Sequence, residues 1–213
     1  MKLALLGSTG FVGMHLLEDA LSEGHDVRAL VRDPEKLGDY KDRVEVIQGD
    51  ASLIGDLEKA IIGTDAVVST LPPVMNGNDP KYSAHLMEGL VGLLEKNGIK
   101  RFIHIGGAAH GGGTNENWTL GRRLLRFYLN LVCKPVLIAK QLEWEVLRKS
   151  DLEWTLVRPP KISKEKPDGQ IAADEKNLAR TQVNVEALAD FMLDQITSGT
   201  WVRKAPLVAS VTN

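Results

Sequence analysis

Apolar and β-branched residues gather along this chain in short runs, and between the runs they recur at every third or fourth position. Lys2–Leu6, Asp26–Val31, Val44–Gln48, Ala66–Thr70, Arg101–Ile105 and Trp154–Arg158 have the length and content of buried strands. Leu16, Leu17, Ala20 and Leu21 share one helical face, as do Leu57, Ala60 and Ile61, and then Leu86, Leu90, Leu93 and Leu94. Strand and helix take turns. That alternation predicts an α/β fold, a Rossmann-type doubly wound parallel sheet with right-handed crossovers and ligands at the carboxyl ends of its strands.

Past Ile105 the pattern loosens. Gly106-Gly107-Ala108-Ala109-His110-Gly111-Gly112-Gly113 carries too little side chain to pack and reads as a loop. Helices are predicted over 118–133 and 135–149, the second begun by Pro135 at its N1 position. Lys161 to Asp174 is charged and polar, with Pro167 and Gly169, and predicts an exposed excursion at the substrate end. Residues 185–197 read as a helix and Leu207–Val211 as an edge strand. With no repeat and no linker, 1–213 is expected to form a single domain in which 159–213 contributes a substrate-side cover.

Composition narrows the partners. The 26 basic and 28 acidic side chains nearly cancel, so there is no surplus of cations for a nucleic-acid surface. One cysteine, Cys133, excludes an intramolecular disulfide, and the apolar start Met1 to Gly7 is too short for a signal peptide. A cytoplasmic location is the expectation. The apolar stretch Leu124 to Ala139 is broken by Arg126, Lys134 and Pro135, which argues against membrane insertion.

The candidate chemistry starts where the first strand ends. Gly7-Ser8-Thr9-Gly10-Phe11-Val12-Gly13 places a GxxGxxG between strand and helix. In that position Gly7 permits the tight turn, Gly10 a close approach to a pyrophosphate, and Gly13 close packing of the helix, whose N-terminus faces the anion. Arg32 stands nineteen residues after Gly13, where a NAD-selective site carries a carboxylate. Its guanidinium suits a 2′-phosphate and favours NADP (NADPH), with NAD the second choice. Asp33 has two readings, a ribose ligand or an N-cap before Pro34. Asp50, after the third strand, is either an adenine contact or another cap. Thr70, Leu71 and Pro72 close the fourth strand and are expected to line the cofactor through backbone groups.

These motifs, together with Lys100-Arg101-Phe102-Ile103-His104-Ile105 and Ser150-Asp151-Leu152-Glu153-Trp154-Thr155-Leu156-Val157-Arg158-Pro159-Pro160, resemble an atypical short-chain dehydrogenase/reductase. The similarity is to the NAD(P)-binding group of the flavin reductase/biliverdin reductase B-like and NmrA-like proteins, and it covers nearly the whole chain. It implies that Pro159 and Pro160 border the nicotinamide and that 161–180 helps to cover the substrate. The departures are informative. Standard members carry a Ser after the fifth strand and a Tyr-x-x-x-Lys on the next helix, the phenol acting as general acid. Here the strand end holds no hydroxyl before Thr114, and Val136-Leu137-Ile138-Ala139-Lys140 keeps only the lysine. Lys140 is either a ribose ligand or a solvated helix lysine. His110 in the Gly-rich loop is either a proton donor or a surface residue, and His104 is expected in the core.

Leu120, Leu124, Phe127 and Leu131 form a helical stripe opposite Arg122, Arg123 and Arg126. The expectation is a stripe packed over the domain with its arginines solvated; the other reading is a membrane-surface or partner helix. Trp118 and Tyr128 are placed to face the substrate mouth. The function expected is NADPH-dependent hydride transfer to a small conjugated acceptor such as a flavin or quinone, with Lys140 and His110 as catalytic candidates. A non-catalytic NADP sensor and a nucleotide-sugar epimerase or dehydratase are the alternatives.

Overall fold

A computed structural model describes residues 1–74, 76–77, 79–109, 116–165 and 170–211. The six apolar runs become parallel strands β1 (Lys2–Leu6), β2 (Asp26–Val31), β3 (Glu45–Gln48), β4 (Ala66–Ser69), β5 (Arg101–Ile105) and β6 (Glu153–Val157). Their spatial order is β3-β2-β1-β4-β5-β6, so the order reverses between β1 and β4. A doubly wound sheet opens its ligand crevice at that reversal.

Helices cover both faces. On one side lies α1 (Phe11–Ser22), and on the other α2 (Ile54–Ile61) and α3 (Lys81–Lys96), with α4 (Leu120–Val132) and α5 (Lys134–Leu147) after β5. Pro135 is the second residue of α5, not the first, because Cys133 provides the N-cap. The chain then departs from expectation. The excursion beyond Lys161 forms β7 (Lys161–Ser163) and β8 (Ile171–Asp174), and β7 pairs in parallel with β9 (Gln182–Asn184). β10 (Leu207–Ser210) meets the main sheet only at its start, through a single parallel bridge between Leu207 and Arg158 just beyond β6. It is buried and runs antiparallel to β8.

The last helix, α6 (Val185–Asp194), starts with Asn184 accepting from the Ala187 N–H and lies against α1. Leu16, Leu17 and Ala20 of α1 share a core with Leu188, Ala189, Met192 and Leu193 of α6. Residues 159–213 therefore complete the core on the α1 face. Truncating any one of these buried leucines to alanine would cost about 2–5 kcal/mol.

At the α1–α6 seam two carboxylates meet. Burial, and then the charge of Asp190, raise Asp19 to about 7. A pKa raised on folding adds stability that is complete below the ordinary value of 3.8 and is lost as pH rises through about 7. Asp190→Asn should therefore raise Tm at pH 8 and leave it almost unchanged at pH 5, with each kcal/mol worth about 2–4 °C in a chain of this size. Equal shifts at the two pH values in a thermal melt would remove the carboxylate pair as the cause.

Candidate active site

The turn between β1 and α1 is built by its glycines. Gly7 has φ +91°, and a Cβ there would lie 2.8 Å from Thr70 Oγ1, so the position needs glycine twice over. Thr70 in turn donates to the Gly7 carbonyl at 3.1 Å and joins the turn to the end of β4. A Cβ on Gly13 would sit 2.0 Å from the Gly7 carbonyl oxygen. Gly13 thus packs the helix against the turn itself. Gly10 is the N-cap of α1, and no side chain caps that end. The first N–H groups of α1 and its dipole are left for an anion.

The other motif residues divide by burial. Val12 lies in the core and Ser8 is buried, so these two can meet a ligand only through the backbone, whereas Phe11 is exposed and Thr9 half-buried. Arg32 is exposed beyond the end of β2. Asp33 accepts from the Glu35 N–H at 3.2 Å through one oxygen and caps the short helical turns of Pro34–Arg43. Asp50 accepts from the Ser52 N–H at 2.8 Å, which with the nearby charge of Arg32 holds its carboxyl below the ordinary range. It closes the turn before α2, whose own N-cap is Leu53.

Lys140 is not a solvated lysine. Its Nζ lies 3.0 Å from the Ile105 carbonyl at the end of β5, 3.4 Å from the Leu71 carbonyl beyond β4, and 3.1 Å from Glu143 Oε2. It is also 3.3 Å from His104 Nε2. Ser83 of α3 donates to the other oxygen of Glu143. Burial raises the Glu143 carboxyl, but the Lys140 ammonium and the bonds from its neighbours prevail and hold it at about 2. Burial and the same ammonium push His104 down, which keeps its ring neutral at pH 7. His104 is in the core as expected, yet within a polar cluster of Ser83, His104, Lys140 and Glu143. A cavity of about 30 Å3 adjoins it, enough for one water. The Lys140-x-x-Glu143 spacing was the only sequence signal for this cluster; Ser83 had none.

A second cluster lies beyond β6. Glu116 takes Arg158 at 2.8 Å on one oxygen and Arg122 on the other, and all three side chains are buried. Arg158 also donates to the Ala205 carbonyl, and Arg122 to that of Ala108. The latter guanidinium stacks 4.0 Å from the Trp118 ring. Pro159 is buried and accepts from the Ala108 N–H, and Pro160 is half-buried beside it. The expectation for α4 fails here. Arg122 is inside, while Leu120, Leu124, Phe127 and Leu131 are exposed. His110 lies outside the described residues. The carboxyl edge of the sheet thus brings together the glycine turn, Thr70, Leu71, Pro72 and Lys140, with Arg32 and Asp50 on its β2–β3 side. No described helix is long and apolar enough to cross a membrane.

A cradle of close-packed glycines at an uncapped helix end, with an exposed arginine beyond β2, fits a dinucleotide phosphate. Comparison with known proteins agrees. A family model described as NAD(P)H-binding matches residues 7–199. The tetraketide alpha-pyrone reductase 2 of Arabidopsis thaliana is 31% identical over 94 residues, 40% of this chain, and the match spans only 29% of that reductase. The uncharacterized sugar epimerase YhfK of Bacillus subtilis is 28% identical over 205 residues, covering 89% of this chain and 85% of that one. A short-chain dehydrogenase/reductase of Veillonella parvula, solved in complex with NADP, superposes with a TM-score of 0.77 at 19% identity over 98% of this chain and 94% of its own.

Proposed function

Because the chain belongs to the NAD(P)H-binding family, we propose that it is an NADPH-dependent oxidoreductase whose acceptor is a small conjugated ring, a flavin or quinone. The backbone of Gly7 to Gly13 and the α1 N-terminus hold the pyrophosphate. Arg32 takes the 2′-phosphate, Asp50 borders the adenine, and Thr70, Leu71 and Pro72 line the middle of the cofactor. Pro159 and Pro160 flank the nicotinamide, and β7 to β9 cover the substrate side, where Lys164 Nζ reaches within 5.6 Å of the Phe11 ring. Bound NADPH would supply the hydride.

The observation that carries this reading is at Val136. Four residues before Lys140, where a tyrosine would donate a proton, stands a side chain that has none. The Lys140 ammonium is itself committed to two carbonyls and Glu143, so it acts by holding the ends of β4 and β5 in place. A ketone needs an acid to receive its developing alkoxide. A flavin or quinone spreads the incoming charge over its ring and takes its proton from water, so orientation suffices.

The test is NADPH oxidation against a panel of flavins, quinones, simple ketones and a nucleotide sugar. Turnover is expected with the first two classes. Fast ketone reduction would sink the acceptor assignment, and tight NADPH binding with no turnover on any acceptor would favour a sensor. Arg32→Ala should weaken NADPH about tenfold to a hundredfold, the worth of a charge-assisted bond, and leave NADH unaffected. Equal losses in calorimetry would show that Arg32 does not read the 2′-phosphate.

A further inference from the structure

Helix α4 is turned inside out. Its one buried residue is Arg122, while Leu120, Phe127 and Leu131 are 74%, 66% and 73% exposed, and Leu124, Leu125, Tyr128 and Val132 are exposed with them. At 100° per residue these seven side chains fill one continuous arc of the helix. Nothing among the described residues covers it. An apolar surface of this breadth on a chain otherwise well packed marks a contact made with something else.

The charges beside the stripe say what that is. From Asn117 to Leu142 there is no acidic residue, and Arg123, Arg126 and Lys134 are exposed. Arg123 and Arg126 sit together on one flank of the stripe. There, with Trp118, Phe127 and Asn130, they line an open groove of about 410 Å3, and Arg126 lies 5.0 Å from the Trp118 ring. Cations and an indole beside an apolar arc match the layering of a lipid surface, with phosphates at one level and acyl chains below. A helix of thirteen residues cannot span a bilayer but is long enough to lie in its interface. A second copy of this chain would bring no acidic residue on the matching helix to meet these arginines.

We propose that α4 docks the protein on an anionic phospholipid surface, with Leu120, Leu124, Phe127 and Leu131 entering the acyl boundary and Arg123 and Arg126 on lipid phosphates. The assignment rests on α4 alone and is independent of the acceptor. It is tested by co-sedimentation of the whole protein with phosphatidylcholine vesicles, with and without phosphatidylglycerol, alongside sedimentation equilibrium without lipid. The protein is expected to pellet with the anionic vesicles, much less with the neutral ones, and less as salt is raised.

Arg123→Glu/Arg126→Glu and, separately, Phe127→Ser/Leu131→Ser should each lower the partition coefficient at least about tenfold. Both pairs are exposed, and an unchanged melting temperature will show that the fold is kept. Absence of vesicle binding overturns the proposal, whether the protein is then a monomer or a dimer that the Phe127→Ser/Leu131→Ser variant dissociates. Equal binding to neutral and anionic vesicles, or binding unaffected by either pair, overturns it as well.

Discussion

Gly13→Ala is expected to abolish NADPH binding. The added Cβ would lie 2.0 Å from the Gly7 carbonyl oxygen, 2.8 Å from its carbon and 2.9 Å from Ser8 Cα, all of them backbone atoms of the turn. No rotamer relieves such a contact. Either α1 moves away from the turn or the turn opens, and in both cases the N–H groups that face the pyrophosphate lose their arrangement. Overpacking of this kind costs about 1–3 kcal/mol of stability or more. The loss of affinity should be at least about a hundredfold, or about 2.7 kcal/mol. Gly92→Ala is the control, since in α3 a Cβ meets nothing within 4 Å and helix propensity favours alanine by about 1 kcal/mol. Calorimetry with NADPH and a thermal melt on both variants decide the matter; normal affinity in Gly13→Ala would mean that the cofactor does not sit on this turn.

The largest loss of stability is expected from Glu116→Ala. Its carboxylate is buried between Arg158 and Arg122, and removing it leaves two guanidinium groups facing each other out of water. Burial already lowers the Arg158 pKa, with Glu116 opposing the shift. Breaking a buried ion pair from one side costs about 3–5 kcal/mol, which corresponds to a fall in Tm of about 6–20 °C here. Asp151→Ala removes an exposed partner of Arg203 and should cost about 0.5 kcal/mol or less. If the two variants melt alike, the Arg–Glu–Arg cluster contributes nothing to stability.

The parallel sheet was legible because buried strands and amphipathic helices differ in period. β1, β2 and β5 begin and end where the apolar runs do. β7 and β9 were not, since three-residue strands in charged text have no periodicity and their pairing joins residues about twenty positions apart. The glycine turn was legible from spacing, and so was the cap at Asp33, which the hydrogen bond from Glu35 shows. The inversion of α4 was beyond sequence for a physical reason. A stripe shows that one face is apolar, not which face meets the domain, and here Arg122 takes the inside, where Glu116 and the Ala108 carbonyl accept from two of its nitrogens and the Trp118 ring stacks on it. Glu116 itself stands in polar text with no period to mark it.

The seam between α1 and α6 has a consequence for the newborn chain. Helix α1 is synthesised well before Leu188, Ala189, Met192 and Leu193, which share its core from far along the chain. At a synthesis rate of about 5–20 residues per second, the apolar side of α1 waits roughly ten to thirty seconds for its cover. Through that interval Leu16, Leu17 and Ala20 lack the apolar cover that α6 gives them in the folded protein. Final closure must therefore wait until α6 has emerged, and a chain stalled after β6 would expose this face for as long as it remained tethered.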